Sequence, residues 1–390
     1  MRESAARVAV SRQGGVFVSS VQGYFGFTPD LAQRGHPPRY RLPVSITESP
    51  HRTKIFIATV AVLLAVAVGA VVVAYQGRPT ARAGVKGAVI LDQSSSLDTG
   101  SGYLLYKTTV AGPDFGTLAE RKVSGNPSTV SGVPTLSSIQ CDRSYTAAGV
   151  LLCLRADDNL VRVASVEVYD KSLKLIKKVQ AAGIPNRARL SADGRMAAWT
   201  TFVAGDAYNG PAFSTRTSML DLKTGVLTDS LESFAVTLQG KPYSNVDENL
   251  WGVTFAADDN TFYATLGTGG KTWLVRGNAA AHTLTTVIDN VECPSLSPDG
   301  TRIVFKKRVS SDAWKMWHLE VLDLATLKET PLAEQRSVDD QAAWLDDHTV
   351  MYAVPQKAGT GYDVWSTPAD GSGQPVLVAP DAFSPSVTSG

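Results

Sequence analysis

The chain has 390 residues, with 37 Lys and Arg against 36 Asp and Glu, so its formal net charge is +1. An apolar share of 44% and an aromatic share of 8% exclude wholesale disorder, and the near-zero charge excludes a dedicated nucleic-acid binder. Three cysteines are too few for a disulfide scaffold or a four-cysteine zinc site.

The neutrality is an average of two unlike parts. Residues 1–83 carry 10 basic and 3 acidic side chains; the remainder carries 27 and 33. Residues 1–53 show no sustained periodicity. They read as a disordered cytoplasmic tail, or as a stretch ahead of a translation start nearer the apolar run that follows.

That run, Ile55 to Tyr75, holds 21 residues and no charge. Twelve are Ile, Val, Leu or Phe and six are Ala. At about 1.5 Å per residue, a helix of this length reaches roughly 30 Å, the thickness of a bilayer core. Its large apolar side chains supply roughly −4 to −7 kcal/mol for insertion. Arg34, Arg39, Arg41, Arg52 and Lys54 precede it against Glu48, while Arg78, Arg82 and Lys86 follow against Asp92. The bias puts the N-terminus in the cytoplasm and the remainder outside. Residues 54–76 are therefore expected to be one transmembrane helix, acting as a signal anchor. Ala81-Arg82-Ala83 leaves cleavage after Ala83 as the other fate, giving a secreted protein. Residues 77–102 read as a linker and first strand.

Beyond residue 102 the chain is rich in turns and β-branched runs, and it repeats itself. Arg189-Leu190-Ser191-Ala192-Asp193-Gly194-Arg195-Met196 recurs as Ser295-Leu296-Ser297-Pro298-Asp299-Gly300-Thr301-Arg302. Val253 to Asp259 and Ala343 to His348 are weaker copies. Each reads as strand, Asp-Gly turn, strand. A second hairpin follows: Leu220-Asp221-Leu222-Lys223-Thr224-Gly225 has the outline of Leu322-Asp323-Leu324-Ala325-Thr326-Leu327, and Val168-Tyr169-Asp170 begins a third copy. Aligning Tyr145, Leu190, Phe255, Leu296, Trp344 and Phe383 gives spacings of 45, 65, 41, 48 and 39 residues. Four strands every 40–50 residues mark a β-propeller blade.

Leu296-Ser297-Pro298-Asp299-Gly300, an apolar strand, and then Val321-Leu322-Asp323-Leu324 resemble the repeat of TolB-type β-propeller proteins over roughly residues 87–390. The resemblance implies an envelope or secreted propeller. It carries over no partner, because no partner-binding motif matches, and residues 84–102 are too few for an α/β domain before the propeller. The expected fold is all-β: a six-bladed β-propeller of four-stranded blades over residues 103–390, preceded by one transmembrane helix. Five units open with an inner strand. The sixth, Tyr103 to Ser131, lacks one, and Asp381 to Ser386 resembles it, so the C-terminal tail is expected to complete the first blade.

Cys141 and Cys153 flank a hairpin centred near residue 147, which sets them opposite each other; a disulfide is expected, with two reduced core thiols as the other reading. Cys293 has no partner and reads as a packed thiol. The five histidines, His36, His51, His282, His318 and His348, lack zinc spacing. There is no Gly-x-Ser-x-Gly elbow and no phosphate loop, and Gly267-Thr268-Gly269-Gly270 reads as a hairpin turn. Asp157-Asp158, Asp258-Asp259 and Asp346-Asp347 fit backbone bonding at turns better than calcium. No metal and no cofactor is expected.

A candidate ligand site is the ring of residues before each inner strand, which blade geometry gathers at the channel mouth. These are Asp142, Arg143, Arg187, Arg189, Trp251, Glu292, Asp339, Asp340 and Gln341. Carboxylates, guanidiniums and an indole suit polar ligands. The expected function is a non-catalytic extracytoplasmic scaffold for an envelope protein, peptide or glycan, acting as a monomer. The alternative is a channel-mouth enzyme of the six-bladed lactonase or cyclotransferase type.

Overall fold

A computed structural model of the chain describes residues 88–90, 97, 102–125, 129–157, 163–203, 214–312, 315–357 and 361–388. The apolar run Ile55 to Tyr75, the Ala83 site and the stretch Asp206 to Phe213, which reads from the sequence as a loop within the 65-residue interval, lie outside the described residues. Among the described residues no helix is long and apolar enough to cross a membrane. There is no α-helix among them, only a 3-10 turn at Leu231–Ser233.

Six sheets form six blades, each built on four antiparallel strands. The second blade runs Arg143–Ala147, Val150–Ala156, Val163–Tyr169 and Leu175–Ala182, from the inner strand outwards. The third, fifth and sixth open with Ile184–Leu190, Glu292–Leu296 and Ala343–Asp346 and follow the same plan. The first blade is closed by the tail: Ala382–Thr388 is its inner strand and pairs antiparallel with Tyr103–Thr108, with Tyr103 opposite Thr388 and Lys107 opposite Phe383. The ends of the chain's ring thus meet within one sheet, so no edge strand is left facing the gap. Val89–Ile90 adds a short fifth strand, parallel to Thr129–Gln140, on that blade's outer edge.

The turns explain the repeat. At Asp193 one carboxylate oxygen accepts from the Ser191 hydroxyl at 2.6 Å and from the Arg195 amide at 3.0 Å. Asp299 does the same with Ser297 at 2.5 Å and the Thr301 amide at 3.0 Å. The serine hydroxyl in turn accepts from the Met196 or Arg302 amide. Gly194 and Gly300 take φ of +75° and +72°, a left-handed geometry that suits glycine. In the second hairpin Asp221 accepts from the Lys223 and Thr224 amides, and Asp323 from those of Ala325 and Thr326. The repeated residues are therefore turn chemistry. They satisfy backbone donors and leave the blade faces to packing.

Two sequence expectations need correcting. Phe383 is equivalent to Glu292 rather than to Leu296, because Phe383 pairs with Lys107 as Glu292 pairs with Lys306. Ser384-Pro385-Ser386 then matches Cys293-Pro294-Ser295. The hairpin register sets Ser144 opposite Cys153. Cys141 instead follows the outer strand of the first blade, its amide donating to Gly116. It is joined to Cys153 of the second blade with Cα atoms 5.5 Å apart, so the bond ties two blades together. The 65-residue interval owes much of its excess to Ser230 to Glu248. There the hairpin Ala235–Leu238 and Lys241–Tyr243 adds two strands to the fourth blade, the first parallel to Thr283–Asp289. Leu231, Phe234 and Val236 bury themselves against Phe262 and Leu284, which holds this addition in place.

Candidate functional site

Inner strands carry bulges where they approach the axis. Registers slip between Trp251 and Thr254, between Glu292 and Ser295, and opposite Leu105 to Lys107. The displaced residue takes a positive φ in each: Gly252 at +68°, Cys293 at +50° and Ser384 at +57°. A bulge twists the strand and re-aims the neighbouring side chain, so Trp251, Glu292 and Phe383 are turned toward the channel. At Gly252 a Cβ would sit 2.8 Å from the Cys293 Cα, so only glycine allows this approach of the fourth and fifth blades.

The channel is a cup rather than a pore. Gln341, from the approach to the sixth blade, donates to Val253 of the fourth at 3.1 Å and to Pro294 of the fifth at 2.8 Å. Arg189 of the third blade donates to Ala342 at 3.1 Å. These bonds close the axis. Beside them a cavity of about 580 Å³ is lined by Arg143, Arg187, Trp251, Glu292 and Asp339 among the sequence-chosen residues. Arg189, Asp340 and Gln341 are buried with the plug. Asp142 stands apart in a neighbouring pocket, accepting from the Ala156 amide at 2.6 Å.

Charge alternates around the cup. Asp340 binds Arg143 at 2.8 Å and Arg187 at 3.6 Å. Arg187 lies 4.0 Å from Asp339, and Lys306 reaches Asp339 at 2.6 Å and Glu292 at 3.8 Å. Arg308 closes the run on Glu292 at 3.2 Å. Four cations and two carboxylates line the cavity, with the third carboxylate, Asp340, beneath it. The mouth is therefore basic in a domain that is acidic overall. Burial works to raise the Asp339 carboxyl, but Lys306, Arg187 and Arg143 together outweigh it and hold the group below its ordinary range. Its side chain is still 63% exposed, open to the cavity. Burial pushes the Arg143 guanidinium down, and Asp340 offsets part of this.

Lys306, Arg308 and Trp317 also line the cup and were not singled out from the sequence. Lys306 sits 4.1 Å from the Trp317 ring centroid. The signal for the two basic residues was available: in an antiparallel hairpin the end of the second strand lies beside the start of the first. Trp251 fits because Gly267 has no Cβ; one there would meet the indole at 2.8 Å.

Lys107 lies next to the cup, buried, and burial pushes its ammonium down to about 8; Asp142 and Asp340 offset part of this and Arg143 adds to it. Between that value and the unfolded value of 10.5 the unfolded chain holds more protons. Native stability attributable to Lys107 should therefore rise with pH across that window. We expect Lys107→Met to melt higher than the wild type at pH 7, with the difference shrinking as the pH passes from 8 to 10.5. Paired thermal melts measure it; a difference that widens would contradict the sign.

No protein-family model matches the chain. No curated protein matches it either. Among solved structures, TolB from Acinetobacter baumannii is similar at 16% identity and a TM-score of 0.50, over 73% of this chain and 66% of that one. The structure of a nidogen/laminin complex is similar at 10% identity and 0.49, over 74% and 98%. An acylaminoacyl peptidase from Pyrococcus horikoshii is similar at 13% and 0.37, over 59% and 38%. At these identities the likeness concerns the fold alone. The fold is a TolB-like β-propeller of six blades.

Proposed function

We propose that this protein is a non-catalytic binding scaffold, displayed outside the cytoplasm at the cell envelope, whose cup receives an acidic group of a protein, peptide or glycan partner. The observation that carries the reading is the basic lining of a closed, roughly 580 Å³ cup within an acidic domain. Such a field attracts anionic groups and repels cationic ones. Trp251 and Trp317 add flat apolar surface beside the charges, the usual make-up of a recognition site. Glu292 and Asp339, the carboxylates that face the cup, are both held by Lys306. That engagement favours binding over acid–base work, which needs a carboxyl free to exchange a proton near neutral pH. The display outside the membrane rests on the uncharged run Ile55 to Tyr75 and the basic residues before it.

The test is affinity capture from envelope extracts, comparing the wild type with a variant carrying Trp251→Ala and Arg308→Ala. These residues face the cavity, whereas Arg187 and Asp340 are buried and their loss would disturb the fold. We expect the variant to lose the captured partner. Equal capture by both proteins would remove the cup as the binding site.

A further inference from the structure

Beside the cup lies a second cavity of about 270 Å³, lined by Lys107, Phe115, Asp142, Arg143, Tyr362 and Phe383. Its size falls just below the range of about 300–1,000 Å³ usual for small-molecule pockets. Three of these six side chains are aromatic. Tyr362 and Phe383 have ring centroids 4.6 Å apart, inclined at 46°, so they form two faces of a slot.

The slot holds an ammonium with no counter-ion. Lys107 is 8% exposed, and among the described residues its ammonium makes no hydrogen bond and no ion pair. Its Nζ stands 5.4 Å from the Phe115 centroid and 5.5 Å from that of Phe383. Nearby carboxylates are engaged elsewhere: Asp142 accepts from the Ala156 amide, and Asp340 binds Arg143. A buried charge in this position is costly unless something pairs with it.

The propeller's own repetition shows what is missing. Lys107 and Lys306 occupy equivalent places on the second strands of the first and fifth blades. Opposite Lys306 stands Glu292, and Asp339 completes its pairing. Opposite Lys107 stands Phe383, where the carboxylate is replaced by a ring. The same lysine geometry thus has two carboxylates within ion-pair distance in one blade and none that close in the other. The aromatic walls exclude a compact hydrated anion and suit a flat apolar body.

We propose that this slot binds a small aromatic carboxylic acid, its carboxylate on the Lys107 ammonium and its ring among Phe115, Tyr362 and Phe383. The carboxylate supplies in the first blade what Glu292 supplies in the fifth. This goes beyond the binding role proposed for the cup and does not depend on it: the two cavities share Arg143, Tyr362 and Phe383 as walls, but Lys107 lines the slot and not the cup. Partner capture tests the cup; small-acid binding tests the slot.

Titration calorimetry of the full-length protein with benzoate, benzamide and acetate is the experiment. Benzoate should bind, while benzamide, which lacks the charge, should bind at least about tenfold more weakly, the effect expected for a hydrogen bond to a charged group. Acetate, which lacks the ring, should also bind at least about tenfold more weakly because it buries no aromatic surface. Lys107→Gln should weaken benzoate binding by about ten- to a hundredfold, and Lys107→Arg should retain most of it. Because benzoate selects the protonated lysine, wild-type affinity should fall as the pH rises above about 8, a readout that needs no variant. The proposal is overturned if benzoate does not bind at millimolar concentration, if benzamide binds as well, or if Lys107→Gln binds benzoate as the wild type does.

Discussion

Deleting residues 381–390 should leave a chain that no longer folds stably at 25 °C. The deletion removes the inner strand of the first blade, Ala382–Thr388, and with it the whole ladder to Tyr103–Thr108. Ala382, Phe383, Ser386 and Thr388 are all buried. The strand also joins the ring to its neighbours. The Ser144 and Thr146 amides of the second blade donate to the Ser384 and Ser386 hydroxyls, each at 3.2 Å. On the other side Ala382 packs with Leu104, Met351 and Val364, bridging to the sixth blade. Burying each large apolar side chain contributes about 1.5–3 kcal/mol. Together with the ladder and the exposed core left behind, the loss should exceed about 5 kcal/mol, comparable with the whole stability of a domain, about 5–15 kcal/mol. Circular dichroism melts of the full-length and shortened chains decide the matter. An unchanged melting temperature would mean that the ring closes without its tail.

The second large effect is expected from Asp340→Ala. Asp340 is buried and neutralises two guanidiniums, Arg187 at 3.6 Å, itself buried, and Arg143 at 2.8 Å, whose side chain is 15% exposed. Removing one member of such a group strands the others as unpaired buried charges, at about 3–5 kcal/mol. In a domain of this size that lowers the melting temperature by roughly 10 °C. Adding Arg143→Met to Asp340→Ala should recover part of the loss, because the stranded charge is removed with its partner. The recovery should stay incomplete, since Arg187 keeps only the distant Asp339, at 4.0 Å. A double-mutant cycle measures the coupling. Additive effects would show that Arg143 and Asp340 do not depend on each other.

Much of the architecture was legible in residue order. The Asp-Gly turns could be read because their chemistry is local: Ser191 with Asp193, and Ser297 with Asp299, satisfy backbone donors within five residues. The tail strand was legible because Ser384-Pro385-Ser386 repeats the pattern of an inner strand, although its register lies four residues from the one the repeat spacing suggests. The cup was partly legible. Arg143, Arg187, Trp251, Glu292 and Asp339 face it, as their place before an inner strand suggests, but the same rule also picked Arg189 and Gln341, which plug the axis, and Asp142, which caps an amide next door.

What the sequence determined alone was the number of blades, the turns between their strands and the strand that closes the ring. Each follows from interactions between residues close in the chain or from a repeated pattern. Tertiary structure decided which charges face one another. The separations that matter, such as Arg143 to Asp340 or Lys306 to Asp339, depend on bulges and on the approach of whole blades, and no local pattern records them. The contrast between Lys306, with its two carboxylates, and Lys107, with none, belongs to this second kind. Two lysines that look alike in sequence differ because the chain brings a glutamate opposite one and a phenylalanine opposite the other.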